Sequence, residues 1–253
     1  MSAAGILSLL YVLMLRAMAE FEKSDIEWQP LALTLVEYPK GDLWGKFFAI
    51  TSLAPFGIGS GFITLILFRR DLHTIAFFIG TLLNELMNII LKHIFCEKRP
   101  LSRGNLYNEY GMPSSHSQFI WFFSFYVLYF FIFRLHHIYN NNVLSIVGKV
   151  IIISSCFMLS LIVSIGRVYL EYHTYRQVIY GGIVGFINAT LWFGVVHRIL
   201  TPLFPQVANL KVCEMLMIRD TTLIPNVLFF EYTKSRHEAR TRGRKLAALK
   251  PVR

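Results

Sequence analysis

Apolar residues run almost unbroken through five stretches of the chain, approximately Trp44–Phe68, Leu72–Ile94, Ser117–Leu135, Val143–Ile165 and Val178–Val196. Each is near the ~20 residues an α-helix needs to cross a hydrocarbon core about 30 Å thick. In each, apolar positions fall all round the helical wheel, the pattern of a helix surrounded by lipid and other helices. Short segments carrying the charges and prolines separate them. The pattern predicts an all-α fold, a polytopic membrane bundle of about five transmembrane helices. An earlier stretch, Gly5–Met18, has only 14 residues and contains Arg16, so it reads as too short for a sixth span. The stretch ends in Ala17-Met18-Ala19, which faintly resembles a signal-peptidase site, and a second reading makes the first 25 residues non-essential; the two stay open.

Composition strengthens this picture. The chain has 253 residues, 55% hydrophobic and only 16% charged, with mean hydropathy +0.50. A soluble domain carries about 25% charge, and a soluble globule could not cover this much apolar surface. The formal net charge of +10 therefore points to membrane headgroups rather than nucleic acid. Its distribution gives sidedness. Residues 201–253 hold ten Lys/Arg against four acids, whereas residues 1–42 hold three against six. Five spans put those ends on opposite faces. The positive-inside rule places the basic C-terminal segment (201–253), the Arg69-Arg70 turn and the Arg134–Asn142 loop in the cytoplasm. The N-terminal segment (1–43) and the loops 95–116 and 166–177 then face the lumen, flanking a core at 44–200. Cys96, Cys156 and Cys213 are too few and too scattered for a disulfide framework and read as free.

Both luminal loops hold residues suited to chemistry. The first begins with Lys92-x6-Arg99-Pro100 and closes on Pro113-Ser114-Ser115-His116, immediately before a span; the second holds Arg167-x5-His173. Singly these are weak signals: a Lys or Arg at a span end is usually an interfacial anchor, and Pro-Ser-Ser reads as a helix start. Together they place three cations and two imidazoles on one membrane face, at helix–loop junctions. Such a set suits a tetrahedral anion, with cations on its oxygens and imidazoles for attack and proton transfer. The unpaired N–H groups of the helix after Pro113 favour a phosphate there. No cluster of acids or of His and Cys accompanies them, so neither metal nor cofactor is expected.

In order and spacing these three motifs resemble the signature of the type 2 phosphatidic acid phosphatase superfamily. The segments Glu37–Leu43, Tyr110–Phe119, Leu200–Pro205 and Ile218–Asn226 further resemble its dolichyldiphosphatase branch, a likeness covering nearly everything after about Ile26. The resemblance implies a metal-independent enzyme of the endoplasmic reticulum membrane, with a luminal site and a polyprenyl pyrophosphate as its lipid partner. Hydrolysis of dolichyl pyrophosphate to dolichyl phosphate would recycle the carrier for N-glycosylation. Carried over by position, His173 is the nucleophile that forms a phosphohistidine. His116 is the general acid, and Lys92, Arg99, Ser114, Ser115 and Arg167 bind the phosphate. Two readings stay open beside it: phosphatase action on another lipid phosphate, such as phosphatidate or a sphingoid phosphate, and non-catalytic binding of a phosphorylated lipid.

The chain departs from the superfamily pattern twice. Gly166 precedes Arg167, where the superfamily usually has Ser. Gln177 stands four residues after His173, where it usually has Asp. On a helix those two positions share a face, so Gln177 is the candidate orienter of His173, with Glu171 the other nearby candidate. An Asp at 177 is expected to keep measurable activity. The stripe Thr81, Asn84, Glu85, Asn88 and Lys92 faces the bundle, its first role being hydrogen bonding between helices. Asn188-Ala189-Thr190 matches a glycosylation sequon inside a span and is expected to be unmodified.

Overall fold

A computed structural model describes residues 28–30, 36–100, 110–134, 143–224 and 227–248. The Gly5–Met18 stretch, residues 101–109 of the first site loop and the loop at 135–142 lie outside them. The described residues form an all-α membrane bundle, in which five helical segments are long and apolar enough to cross a membrane: Leu43–Arg69, Leu72–Phe95, Ser115–Phe133, Ile146–Tyr169 and Tyr175–Ala208. A short antiparallel pair, β1 (Trp28–Pro30) and β2 (Glu37–Pro39), precedes them.

The first span differs from the single helix its apolar run predicts. It divides into α1 (Leu43–Thr51) and α2 (Ala54–Arg69), broken at Ser52 and Leu53. Pro55 lies in the first turn of α2. A proline is tolerated there because that N–H has no helical partner, whereas within a continuous helix it would remove a bond and clash with the preceding turn. The second span, α3 (Leu72–Phe95), starts where the Asp71 carboxylate accepts from Thr74 N–H, and stops at Cys96, whose φ of 48° is left-handed. The third, α4 (Ser115–Tyr129), widens into a π-helical segment at Phe130–Arg134. The fourth is α5 (Val143–Tyr169). The fifth, α6 (Tyr175–Val195), runs past its predicted end through a π-helical segment (Val196–Leu200) into α7 (Thr201–Ala208). A short α8 (Lys211–Met215) and the basic α9 (Val227–Ala248) follow.

Helices α4 and α6 form the centre. Gly181, Gly185 and Ala189 make a small-residue seam on α6 against which α4 lies close. A β-carbon on Gly185 would sit 2.4 Å from the Gln118 carbonyl oxygen, and one on Gly181 would sit 2.7 Å from that of Ser114. Without a hydrophobic drive between helices in lipid, such close backbone approach and interhelical hydrogen bonds supply the association. Ser117 Oγ donates to the Val178 carbonyl at 2.8 Å, and Phe122 and Tyr126 pack with Ala189 and Phe193. The polar stripe of α3 bonds across helices. Gln118 Nε2 donates to the Asn84 carbonyl at 2.8 Å, Asn88 Nδ2 donates to Gln118 Oε1 at 2.8 Å, and Asn188 Nδ2 donates to Asn84 Oδ1 at 2.9 Å. The sequon nitrogen of Asn188 is thus engaged within the bundle.

At the opposite end from the motif residues, the C-terminal segment returns to the α2–α3 turn. Leu72 N–H donates to Arg219 O, Arg219 N–H donates to Arg70 O, and Thr221 donates to the Asp71 carboxylate from both its amide and its hydroxyl. Arg219 also pairs with Glu231 of α9 at 2.7 Å.

Candidate active site

The three motifs meet at one end of the bundle because each sits where a span begins or ends. Lys92 occupies the last turn of α3, His116 the first turn of α4, Arg167 the last turn of α5, and His173 the turn between α5 and α6. The six-residue spacing of Arg167 and His173 has a local cause. Glu171, at φ 57°, reverses the chain after α5, and the Arg167 carbonyl accepts from both Tyr172 N–H (3.1 Å) and His173 N–H (3.2 Å). That return brings His173 back beside Arg167. The Arg167 guanidinium lies over the Tyr172 ring, 4.1 Å from its centroid, and Tyr172 Oη accepts from Glu37 N–H at 2.8 Å. Arg167 is only 4% exposed and His173 only 2%, although both belong to loop and helix-end segments.

The loop bearing Ser114 and Ser115 is fixed from both sides. Ser114 N–H donates to the Gln177 carbonyl at 3.1 Å, and the Pro113 carbonyl accepts from Asn88 Nδ2 at 3.3 Å. Ser114 is the N-cap residue of α4, yet its side chain makes no capping bond; its Oγ is buried and has no partner among the described residues. A buried hydroxyl left over beside the open N–H groups of a helix start fits an incoming anion oxygen. Ser115 is half-buried next to it. His116 feels the charges of Arg167, Arg99 and Lys92, and the Ser52 backbone lies against its ring. The break between α1 and α2, absent from the sequence reading, is thus what meets this histidine.

Gln177 has the most determined geometry of the site. It is fully buried and is the third residue of a capping box with Thr174, whose Oγ1 accepts from Gln177 N–H at 3.3 Å. Its Nε2 donates to Glu97 Oε1 and to the Lys98 carbonyl, both at 3.0 Å. Its Oε1 accepts from Thr174 N–H at 3.2 Å and lies 3.2 Å from His173 Nδ1. A carbonyl can only accept and a peptide N–H can only donate, so the amide has one orientation. Nδ1 of His173 must then carry the proton, and Nε2 keeps the lone pair. Burial first, then the Arg167 and Arg99 cations and His116, pushes the His173 pKa well below the ordinary imidazole range, against the smaller opposing effect of the Gln177 bond. The ring is neutral at physiological pH, as a nucleophile requires. Glu171 is exposed, at the outer edge of the turn.

The second departure from the superfamily pattern also has a physical cause. A β-carbon on Gly166 would lie 2.9 Å from the Phe48 ring, so α1 packs where a serine side chain would project. Sequence reasoning missed Glu97. The Thr174-x-x-Gln177 capping-box spacing was available as a sign that Gln177 is held. No such spacing links Gln177 to Glu97, 80 residues earlier. Among the described residues, no three His, Cys, Asp or Glu side chains gather as a metal ion would need.

The PAP2 superfamily matches residues 73–200. The chain is 48% identical over 221 residues to Dolichyldiphosphatase 1 of Homo sapiens, covering 87% of this chain and 93% of that one. It is 38% identical over 211 residues to Dolichyldiphosphatase 1 of Dictyostelium discoideum, covering 83% and 90%. It is 36% identical over 215 residues to Lipid phosphate phosphatase gamma of Arabidopsis thaliana, covering 81% and 90%. No solved structure matches it.

Proposed function

The chain belongs to the PAP2 superfamily, and we propose that it hydrolyses dolichyl pyrophosphate to dolichyl phosphate and inorganic phosphate through a phosphohistidine on His173. The observation that carries this reading is the pinned Gln177 amide, which leaves His173 Nε2 unprotonated beside Arg167 and Arg99. The substrate follows from the names of the relatives and the membrane bundle in which the site is set.

Lys92, Arg99 and Arg167 take the oxygens of the terminal phosphate, joined by the Ser114 hydroxyl, Ser115 and the first N–H groups of α4. His173 Nε2 attacks the terminal phosphorus. The N–P bond forms as the bond from phosphorus to the bridging oxygen breaks, and His116 gives that oxygen a proton. Dolichyl phosphate departs. Water then attacks the phosphorus, returning one proton to His116, and the P–N bond breaks to release inorganic phosphate and the neutral imidazole. Positioned proton transfer of this kind is worth roughly 10²–10⁴-fold in rate. As in the superfamily, no metal takes part.

The enzyme resides in the endoplasmic reticulum membrane with its site on the luminal face and its C-terminal segment in the cytoplasm. The basic balance of residues 201–253 supports that orientation, and the released carrier returns to N-glycosylation. A second reading, action on another lipid phosphate, draws on the relative named Lipid phosphate phosphatase gamma. Purified protein assayed with dolichyl pyrophosphate and phosphatidate side by side separates the two. Preference for the pyrophosphate, lost in His173→Ala together with an acid-labile phosphoprotein, is the expected result. Retention of more than about a hundredth of the activity in His173→Ala would remove the nucleophile assignment.

A further inference from the structure

Glu97 takes no part in the chemistry above, yet its side chain is built into the site. It lies in the turn after α3, where its backbone carbonyl accepts from Gly111 N–H at 2.7 Å and its Oε1 accepts from Gln177 Nε2 at 3.0 Å. The far end of that amide is the oxygen facing His173 Nδ1 at 3.2 Å. Space has been kept for this contact: a β-carbon on Gly111 would fall 2.9 Å from both Gln177 Nε2 and Oε1, and 3.1 Å from Arg99 Cγ.

We propose that Glu97 is a positioning residue, a carboxylate acting through the Gln177 amide to hold and polarise the attacking imidazole of His173. The proposal rests on the phosphohistidine reading and adds a group to it. During attack the imidazole gains positive charge as Nε2 bonds to phosphorus, and Nδ1–H becomes a stronger donor. A carboxylate bonded to Nε2 of an amide draws its N–H outward and enriches its oxygen, so the oxygen accepts more strongly from Nδ1–H. Hydrogen bonds in series reinforce one another in this way in a poorly solvated site. The Lys98 carbonyl shares Gln177 Nε2 and fixes the same orientation, but as a neutral acceptor it supplies no charge. A neutral amide at 177 thereby gains part of what an Asp supplies in a His–Asp pair: orientation from Gln177, negative charge from Glu97.

Glu97→Gln tests the charge separately from the geometry, because a glutamine oxygen still accepts from Gln177 Nε2. The readout is a split. With the lipid substrate, kcat should fall about 10–100-fold while KM stays within about twofold, a loss of the order that follows when the hydrogen-bond partner behind a metal-bound histidine is removed, here read as a kcat effect. A lipid-free measurement runs beside it. Vanadate mimics the five-coordinate phosphorus bonded to His173, whereas inorganic phosphate mimics the ground state. Glu97→Gln should weaken vanadate about tenfold or more, read by tryptophan fluorescence, and leave phosphate affinity within about twofold. Glu97→Asp, which keeps the charge, should lie nearer the parent on both measures. Equal loss of vanadate and phosphate would assign Glu97 a purely structural role and overturn the proposal, as would a Glu97→Gln protein with unchanged kcat and vanadate affinity. The vanadate arm needs no knowledge of the lipid, so a wrong substrate is distinguishable from a wrong role for Glu97.

Discussion

Gln177 makes four side-chain hydrogen bonds, two as donor and two as acceptor. These bonds weigh on one expectation drawn from the sequence, that an Asp at 177 keeps measurable activity. An Asp at 177 would be one methylene short, would donate nothing to Lys98, and would place a second carboxylate beside Glu97. Gln177→Asp is therefore expected to lose about 100-fold or more in kcat, and Glu97→Gln added to it should restore part of the rate by removing the like-charge pair; kinetics of the two variants and the parent check this. The i, i+4 relation of His173 and Gln177 is readable in the chain because helix geometry makes such neighbours. The Glu97 contact is not, because it joins the segment after α3 to the first turn of α6, 80 residues away, through the packing of the spans. His173 itself predicts a pH effect. The folded chain holds it neutral while the unfolded chain protonates it below about pH 6.5, so the unfolded state binds the extra proton. Stability should fall as pH drops through that range, by up to about 1.4 kcal/mol per pH unit, until the folded ring titrates. In detergent, the loss of Tm between pH 7 and pH 5 should be smaller for His173→Asn than for the parent.

At the scale of elements, the five spans were legible because a bilayer demands length and apolarity, and both are written locally. The breaks were less so. The division at Ser52 and Leu53 needed Pro55 to be read as a helix start, and its purpose lies across the bundle at His116. Of the two histidines proposed to act, His116 lies in the first turn of α4 and His173 just before α6, so their separation depends on how closely α4 and α6 approach. Gly185 sets that approach. Gly185→Ala would push a β-carbon against the Gln118 backbone, which cannot rotate away as a side chain could. Overpacking of this kind is worth about 1–3 kcal/mol. A lowered Tm is expected, together with reduced kcat in the protein that remains folded. An unchanged rate would mean that the site tolerates movement of the α4–α6 pair.

For the whole molecule, an odd number of spans puts the segments before Leu43 and after Ala208 on opposite membrane faces, and in the proposed orientation the basic tail is the cytoplasmic one. In sealed microsomes, a tag placed after Arg253 should be cleaved by added protease, while one inserted at 103–109 should survive until detergent is added. A protected C-terminal tag would reverse the orientation. The contacts among Arg70, Asp71, Leu72, Arg219 and Thr221 were invisible to any local pattern, being polar, short and about 150 residues apart. They also carry a consequence in time. The hairpin of α2 and α3 enters the membrane early in synthesis, but the strand-like partner that satisfies its turn is made 150 residues later. At about 5–20 residues per second that interval is on the order of ten to thirty seconds. Through it the hairpin stands with the Leu72 amide and the Arg70 carbonyl open to water. Assembly of this membrane protein is thus completed from a late-made segment, and a chain that lacks everything from Ile218 onward would leave the turn between the first two spans unfastened.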